Sequence, residues 1–213
     1  MKRKVLSLIS AGIIGVALLL PGNSLAATHV KFNDINGHWG QKHIEHFAEL
    51  GIISGMGQGK FAPNATIAKE HVQILLKKAS GKDVTLPLNH RVAVIAGIVN
   101  AFDLNSEANK LTDKEVSEVL GKFKDKNTIP AEDLKAAAYM VKLGIISGIK
   151  SDEFAPHGTV TRAQVVSFIG RLAEKGKITL KPYMGEMKDG MNMDGMNSNN
   201  MNSNNMNMGG MKH

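Results

Sequence analysis

Apolar residues in the middle of the chain recur at the spacing of a helix. Val165, Phe168, Ile169 and Leu172 fall at i, i+3, i+4 and i+7, and Val72, Leu75, Leu76 and Ala79 repeat that stripe ninety-three residues earlier. Leu134, Ala137, Ala138 and Val141 form a third stripe, and Ile44, Phe47 and Ala48 a shorter one. Each describes a helix with one apolar side that must lean on a neighbour. The stretch from Leu88 to Phe102, "LNHRVAVIAGIVNAF", is apolar almost all round, with Asn89 placed as its N-cap. A helix without a polar face is covered on every side, so this one is expected at the centre of a bundle.

Start and stop signals agree with the stripes. Thr161 stands three residues before Gln164 and Thr112 three before Glu115, the spacing of capping boxes that satisfy the free amides of a first turn. Pro130 suits a first helical position, and Glu132 and Asp133 follow at the positive end of the helix dipole. Gly51 and Gly144 close helices as residues able to turn left-handed. The expectation is about six helices between Trp39 and Lys175 with little extended chain, a mainly α class.

One unit is written twice. "LGIISGMGQGKFAPNATIAKEHV" at 50–72 and "LGIISGIKSDEFAPHGTVTRAQV" at 143–165 share a glycine stop, an Ile-Ile pair, a Ser-Gly turn, Phe-Ala-Pro and a second helix. Glycine permits positive φ, the isoleucines and phenylalanine anchor the loop, and Pro63 or Pro156 fixes the approach to the next helix. A single unit cannot bury its own apolar face, so the copies are expected to pack together, their glycine elbows bordering a shared crevice.

The flanks differ from this body. Lys2, Arg3 and Lys4 precede an apolar run from Val5 to Leu20 and then "PGNSLAA", where Ser24 and Ala26 suit a signal peptidase; residues 1–26 are expected to be a signal peptide and the mature chain to be secreted. Without those three basic residues the +7 of the 213-residue chain falls to 23 Lys+Arg against 19 Asp+Glu, a modest excess that decides nothing about partners. With no cysteine there is no disulfide framework, thiolate metal site or lipid acceptor. Residues 177–213 turn Met-, Asn- and Gly-rich and are expected to be disordered.

At the repeated loops the residues resemble the S-layer homology repeat of bacterial cell-surface proteins. "FNDINGHW" at 32–39 is similar to the family's opening F-x-D-[IV]-x-x-H-W, and "GIISG" and "GQGKFAP" follow in order; the later copy opens with "FKDKNTIP" and carries "TVTRAQ", close to the family's T-R-A-E signature. The likeness covers residues 30–80 and 121–176, with 81–120 read as a degenerate helical repeat. It implies a bundle of helix–loop–helix repeats in pseudo-threefold array, whose inter-repeat grooves hold a secondary cell-wall polysaccharide, often one bearing a pyruvate ketal. It therefore implies non-covalent anchoring at the cell wall, without catalysis.

Carried onto this sequence, the resemblance makes Arg162 the first candidate, since a guanidinium can pair with a ketal carboxylate. Thr161, Gln164, Trp39, Lys69 and the turns Ser54-Gly55 and Ser147-Gly148 join it as polysaccharide-binding candidates. The first copy departs from the signature, with Ala68 at the cap and Lys69, a point charge, at the arginine place. Glu132 takes the tryptophan place of the later copy. The middle stretch has no Gly-Ile-Ile loop; in "LNHRVA" the cap is read at Asn89 and the arginine place at His90, which leaves at most two usable grooves. Trp39 is either a sugar platform or a packing anchor, and Asp34 and Asp125 are read as braces of the adjoining loops.

Other chemistries are sparser. Nine of the twelve methionines follow Lys181; Met184, Met187, Met191, Met193, Met196, Met206, Met208 and Met211 form M-x-x-M and M-x-M pairs whose thioethers suit Cu(I) or Ag(I), an alternative reading as a soft-metal binder. His29, His38, His43, His46 and His71 crowd the first copy without a zinc-site pattern. No G-x-S-x-G, phosphate-cradling loop or placed carboxylate pair supports catalysis, so no cofactor is required. Few aromatics and a low basic density argue against a nucleic-acid partner, and no membrane partner is expected once the signal peptide is removed.

Overall fold

The computed structural model describes residues 31–185. The expected signal peptide, and every tail methionine beyond Met184, lie outside the described residues. Within them the chain forms α1 (Gln41–Glu49), α2 (Lys69–Ser80), α3 (Arg91–Ala101), α4 (Asn105–Asn109), α5 (Asp113–Leu120), α6 (Leu134–Lys142) and α7 (Arg162–Glu174), with 3-10 turns at Lys126–Thr128 and Ala131–Asp133. The described residues contain no strand, only isolated bridges, so the fold is mainly α.

The stripes become the core. Val72, Leu75, Leu76 and Ala79 of α2 and Val165, Phe168, Ile169 and Leu172 of α7 are buried, as are Ile44, Phe47 and Ala48 of α1. Both expected capping boxes close, at Thr112 and at Thr161. Gly51 and Gly144 each take φ +69° just after their helices, a conformation open to glycine and costly for most side chains. α3 packs against α2, α4 and α6, and most of its residues are buried, as an all-apolar helix requires.

Two expectations are corrected. α3 starts at Arg91 with His90 as N-cap, not Asn89, whose side-chain amide instead donates to the Ile67 carbonyl at 3.2 Å. His90 therefore matches Thr161, and Arg91 rather than His90 takes the arginine place. Residues 177–185, assigned by composition to the tail, form a strap: Ile178, Leu180 and Tyr183 pack on the core, and the Tyr183 amide donates to the Leu50 carbonyl at 2.8 Å.

The two copies of the loop, loop 1 (residues 52–67) and loop 2 (145–160), are built alike. The amides of Ile52 and Ile53 turn back to the Phe47 carbonyl, and those of Ile145 and Ile146 to that of Met140. Asp34 accepts from the amides of Phe61 and Ala62 at 2.9 and 2.8 Å, and Asp125 from those of Phe154 and Ala155 at 2.9 and 2.7 Å. These bonds hold Ala62 and Ala155 at φ +58° and +54°, unusual for a side-chain-bearing residue. Both aspartates brace loops, as their positions suggest.

Candidate functional site

Each loop docks on the first turn of a helix from another part of the chain. The amides of Arg162 and Ala163 donate to the carbonyls of Ala65 and Pro63, both at 3.0 Å, so loop 1 covers the N-terminus of α7. The amides of Arg91 and Val92 donate to Gly158 and Pro156 at 2.7 and 3.0 Å, so loop 2 covers α3 in the same way. A bridge joins Thr66 to Thr161 in the first junction and Thr159 to His90 in the second. The third equivalent helix, α2, receives no loop among the described residues; Lys69 reaches only the Pro87 carbonyl at 3.4 Å.

The first junction encloses a cavity of about 260 Å³ between loop 1, α2 and α7. Arg162, Ser54 and Gly55 line it, with His71 and Lys78 adding basic groups and Met56 and Ile74 an apolar wall. Met56 and Ile74 are 61% and 53% exposed, so apolar surface faces solvent beside a cation. That pairing of a flat apolar wall with a fixed charge suits the CH face and the acidic substituent of a sugar.

Arg162 is positioned rather than free. Its Nε donates to the Phe61 carbonyl at 2.8 Å and its Nη2 to the Ser54 carbonyl at 3.0 Å, and the guanidinium lies 4.4 Å from the centre of the Phe61 ring. Nη1 makes no hydrogen bond among the described residues, and Arg162 lines the cavity. Burial pushes the Arg162 pKa down and the nearby Asp34 carboxylate pushes it up, leaving it below the usual arginine range. An arginine remains charged at neutral pH under such a shift.

The remaining candidates have other places. Thr161 and Gln164 spend their side chains on each other's amides, at 3.3 and 2.9 Å. Trp39 is 57% exposed against His38 and is not part of the cavity wall, nor is Lys69. Ser147 and Gly148 belong to the second junction, so the two elbows do not share one crevice: loop 2 contributes nothing to the cavity beside loop 1. Gly55 and Gly148 are required by packing, since a Cβ on Gly55 would stand 2.7 Å from the Lys60 carbonyl and one on Gly148 would overlap those of Lys150 and Glu153. Lys78 went unnoticed in the sequence and His71 was noted only for metal chemistry; their signal was helical register, because the two stand seven residues apart on the face of α2 that turns toward loop 1.

Met184 is 67% exposed at the end of the strap, and the described residues contain no cluster of His, Asp and Glu suited to a metal. No described helix is long and apolar enough to cross a membrane. A larger hollow of about 720 Å³ lies between α5 and residues 126–135, but Asp113 and Glu132 balance Lys126 and Lys135 there, so it offers no preference for an anion.

The docked loops define a helical repeat protein in which one repeat finishes the groove of another. Residues 31–72 and 122–166 match the model of the S-layer homology domain, one stretch for each copy of the loop unit. An amylopullulanase of Thermoanaerobacterium thermosulfurigenes is 28% identical over 68% of this chain, and exoglucanase XynX of Acetivibrio thermocellus is 28% identical over 74%. An S-layer protein of Bacillus thuringiensis subsp. finitimus is 26% identical over 69%. The chain spans only 10%, 18% and 22% of the lengths of these three relatives. The S-layer homology match and the likeness to an S-layer protein mark this as a wall-anchored protein of the cell surface.

Proposed function

We propose that the chain is held at the bacterial cell wall by a secondary wall polysaccharide seated in the cavity between loop 1, α2 and α7, with an acidic substituent such as a pyruvate ketal on Arg162. The observation that carries this reading is the geometry of Arg162: two of its nitrogens are fixed on carbonyls of another repeat, Nη1 makes no hydrogen bond among the described residues, and the side chain lines a cavity that Met56 and Ile74 share. A guanidinium pre-set in this way loses little freedom when it binds a carboxylate. Lys78 and His71 widen the basic rim, and Ser54 and Gly55 form the turn that shapes the opening.

The test is sedimentation with purified cell-wall sacculi. The native chain co-sediments and is released when the wall polymer is extracted. Arg162→Ala loses a charge-assisted contact of about 1.5–3 kcal/mol, roughly tenfold or more in affinity. Equal sedimentation of a folded Arg162→Ala variant would overturn the role given to this residue.

A second reading, soft-metal binding by the methionine-rich segment, rests on the spacing of the pairs from Met184 to Met211. Thioethers bind Cu(I) without losing a proton. Titration of a peptide of residues 184–213 with Cu(I) under reducing conditions tests it; affinity no better than that of free methionine removes it.

A further inference from the structure

Arg91 repeats the place of Arg162 and, Nε apart, its contacts. Both are the first residue of their helix, and their backbone amides meet equivalent carbonyls, of Gly158 and Ala65. Arg91 donates from Nη2 to the Ser147 carbonyl at 2.7 Å, as Arg162 does to Ser54, and lies 5.6 Å from the centre of Phe154, the counterpart of Phe61. The surroundings differ on the other side. Arg162 has a ring on one face and the cavity beyond it, whereas Arg91 is held between two rings, the second being Phe168 at 5.3 Å.

Phe168 stands where loop 1 faces Leu75, and Arg171 where it faces Lys78. Arg171 donates from Nη1 to the Ile145 carbonyl at 2.9 Å and so ties α7 down onto loop 2, whereas Lys78 lies over the Tyr183 ring at the rim of the open cavity. Arg91 is left 4% exposed, and its Nε is buried without a hydrogen-bond partner. Burial lowers its pKa to about 10, so it is a cation at neutral pH, and no carboxylate among the described residues pairs with it. The counterpart of Arg162 is thus covered by two side chains larger than those at the same places beside loop 1.

We infer that loop 2 and the first turn of α3 form a second carboxylate-binding groove that Phe168 and Arg171 hold shut, so that the native chain takes one acidic sugar. The inference rests on the reading of the open groove as a glycan site. It makes Phe168 and Arg171 the residues that set how many grooves work, and it predicts that giving them the identities used beside loop 1 opens the second.

The experiment uses the full chain and a 4,6-O-pyruvylated methyl hexopyranoside as probe. Calorimetry is expected to give one site for the native chain and two for Phe168→Leu/Arg171→Lys. Adding Arg162→Ala to that pair returns the count to one, now dependent on Arg91. Two sites on the native chain, or one on the double variant, overturn the inference.

Arginine modification by phenylglyoxal, read by peptide mass spectrometry, supplies a measurement independent of the probe. Arg91 is expected to be protected in the native chain while Arg162 reacts, and to become reactive in the double variant. Equal reactivity of Arg91 and Arg162 in the native chain overturns the closure. Failure of the native chain to take up any probe counts instead against the open-groove reading, and the closure is then decided by Arg91 reactivity.

Discussion

The imidazole of His43 fills the space beside Gly170: a Cβ built on that glycine would overlap the ring, with Cγ only 2.8 Å away. The contact joins α1 to α7 and so joins the two repeats. In an exposed helix, replacing glycine by alanine gains about 1 kcal/mol. Here overpacking reverses the sign, and Gly170→Ala is expected to cost about 1–3 kcal/mol. Chemical denaturation of Gly170→Ala alone and combined with His43→Ala checks this; the second change should return most of the loss.

Asp34 makes loop 1 sensitive to acid. Burial alone would raise its pKa, but the amides of Phe61, Ala62 and Asp34 itself, helped by Lys60, hold it below the ordinary 3.8. A depressed carboxylate contributes stability that is present above its unfolded pKa and is lost as pH falls through the lower folded value. Asp34→Asn should therefore lower the melting temperature at pH 7, and the gap to the native chain should narrow below about pH 4. A gap that is constant between pH 7 and pH 3 would rule out the charge of Asp34 as its source.

The three equivalent helices begin with different caps, which makes cap strength testable within one chain. Ala68 has the extended backbone of an N-cap, φ −72° and ψ 151°, and no capping side chain, while Thr161 closes a full box. Ala68→Thr should stabilise by about 0.5–1 kcal/mol and Thr161→Ala should destabilise by about 1 kcal/mol. Urea midpoints with unchanged slopes are the measure.

The strap separates two truncations that composition alone would treat alike. A chain ending at Gly185 keeps Ile178, Leu180 and the Tyr183 bond to Leu50, and should melt as the full chain does. One ending at Gly176 exposes apolar surface under all three and should lose about 1–3 kcal/mol. Equal melting of both truncations would mean that the strap contributes nothing.

Much of this was legible in the residues. Stripes, capping boxes and glycine stops are local, and the helices they predict form where expected. The braces Asp34 and Asp125 were also readable, because the loop motif repeats around them. The start of α3 was not: Asn89 is the better cap by propensity, but loop 2 hydrogen-bonds the amides of Arg91 and Val92, and that long-range docking sets the helix start one residue later. The partners of Arg162 were hidden for the same reason, since Phe61 and Ser54 lie a hundred or more residues away in sequence. The reach of the ordered body past Lys175 was missed because three apolar residues in a polar stretch carry no periodicity.

The strap also fixes where the chain leaves the body. Lys78 borders the cavity beside loop 1 and, under the Tyr183 ring, a second hollow that ends at Met184. Whatever follows Gly185 thus departs from the rim of the groove and not from the opposite pole. Cargo fused directly after Gly185 would sit at the mouth of that cavity and, if the proposed glycan is held there, would compete with it for room.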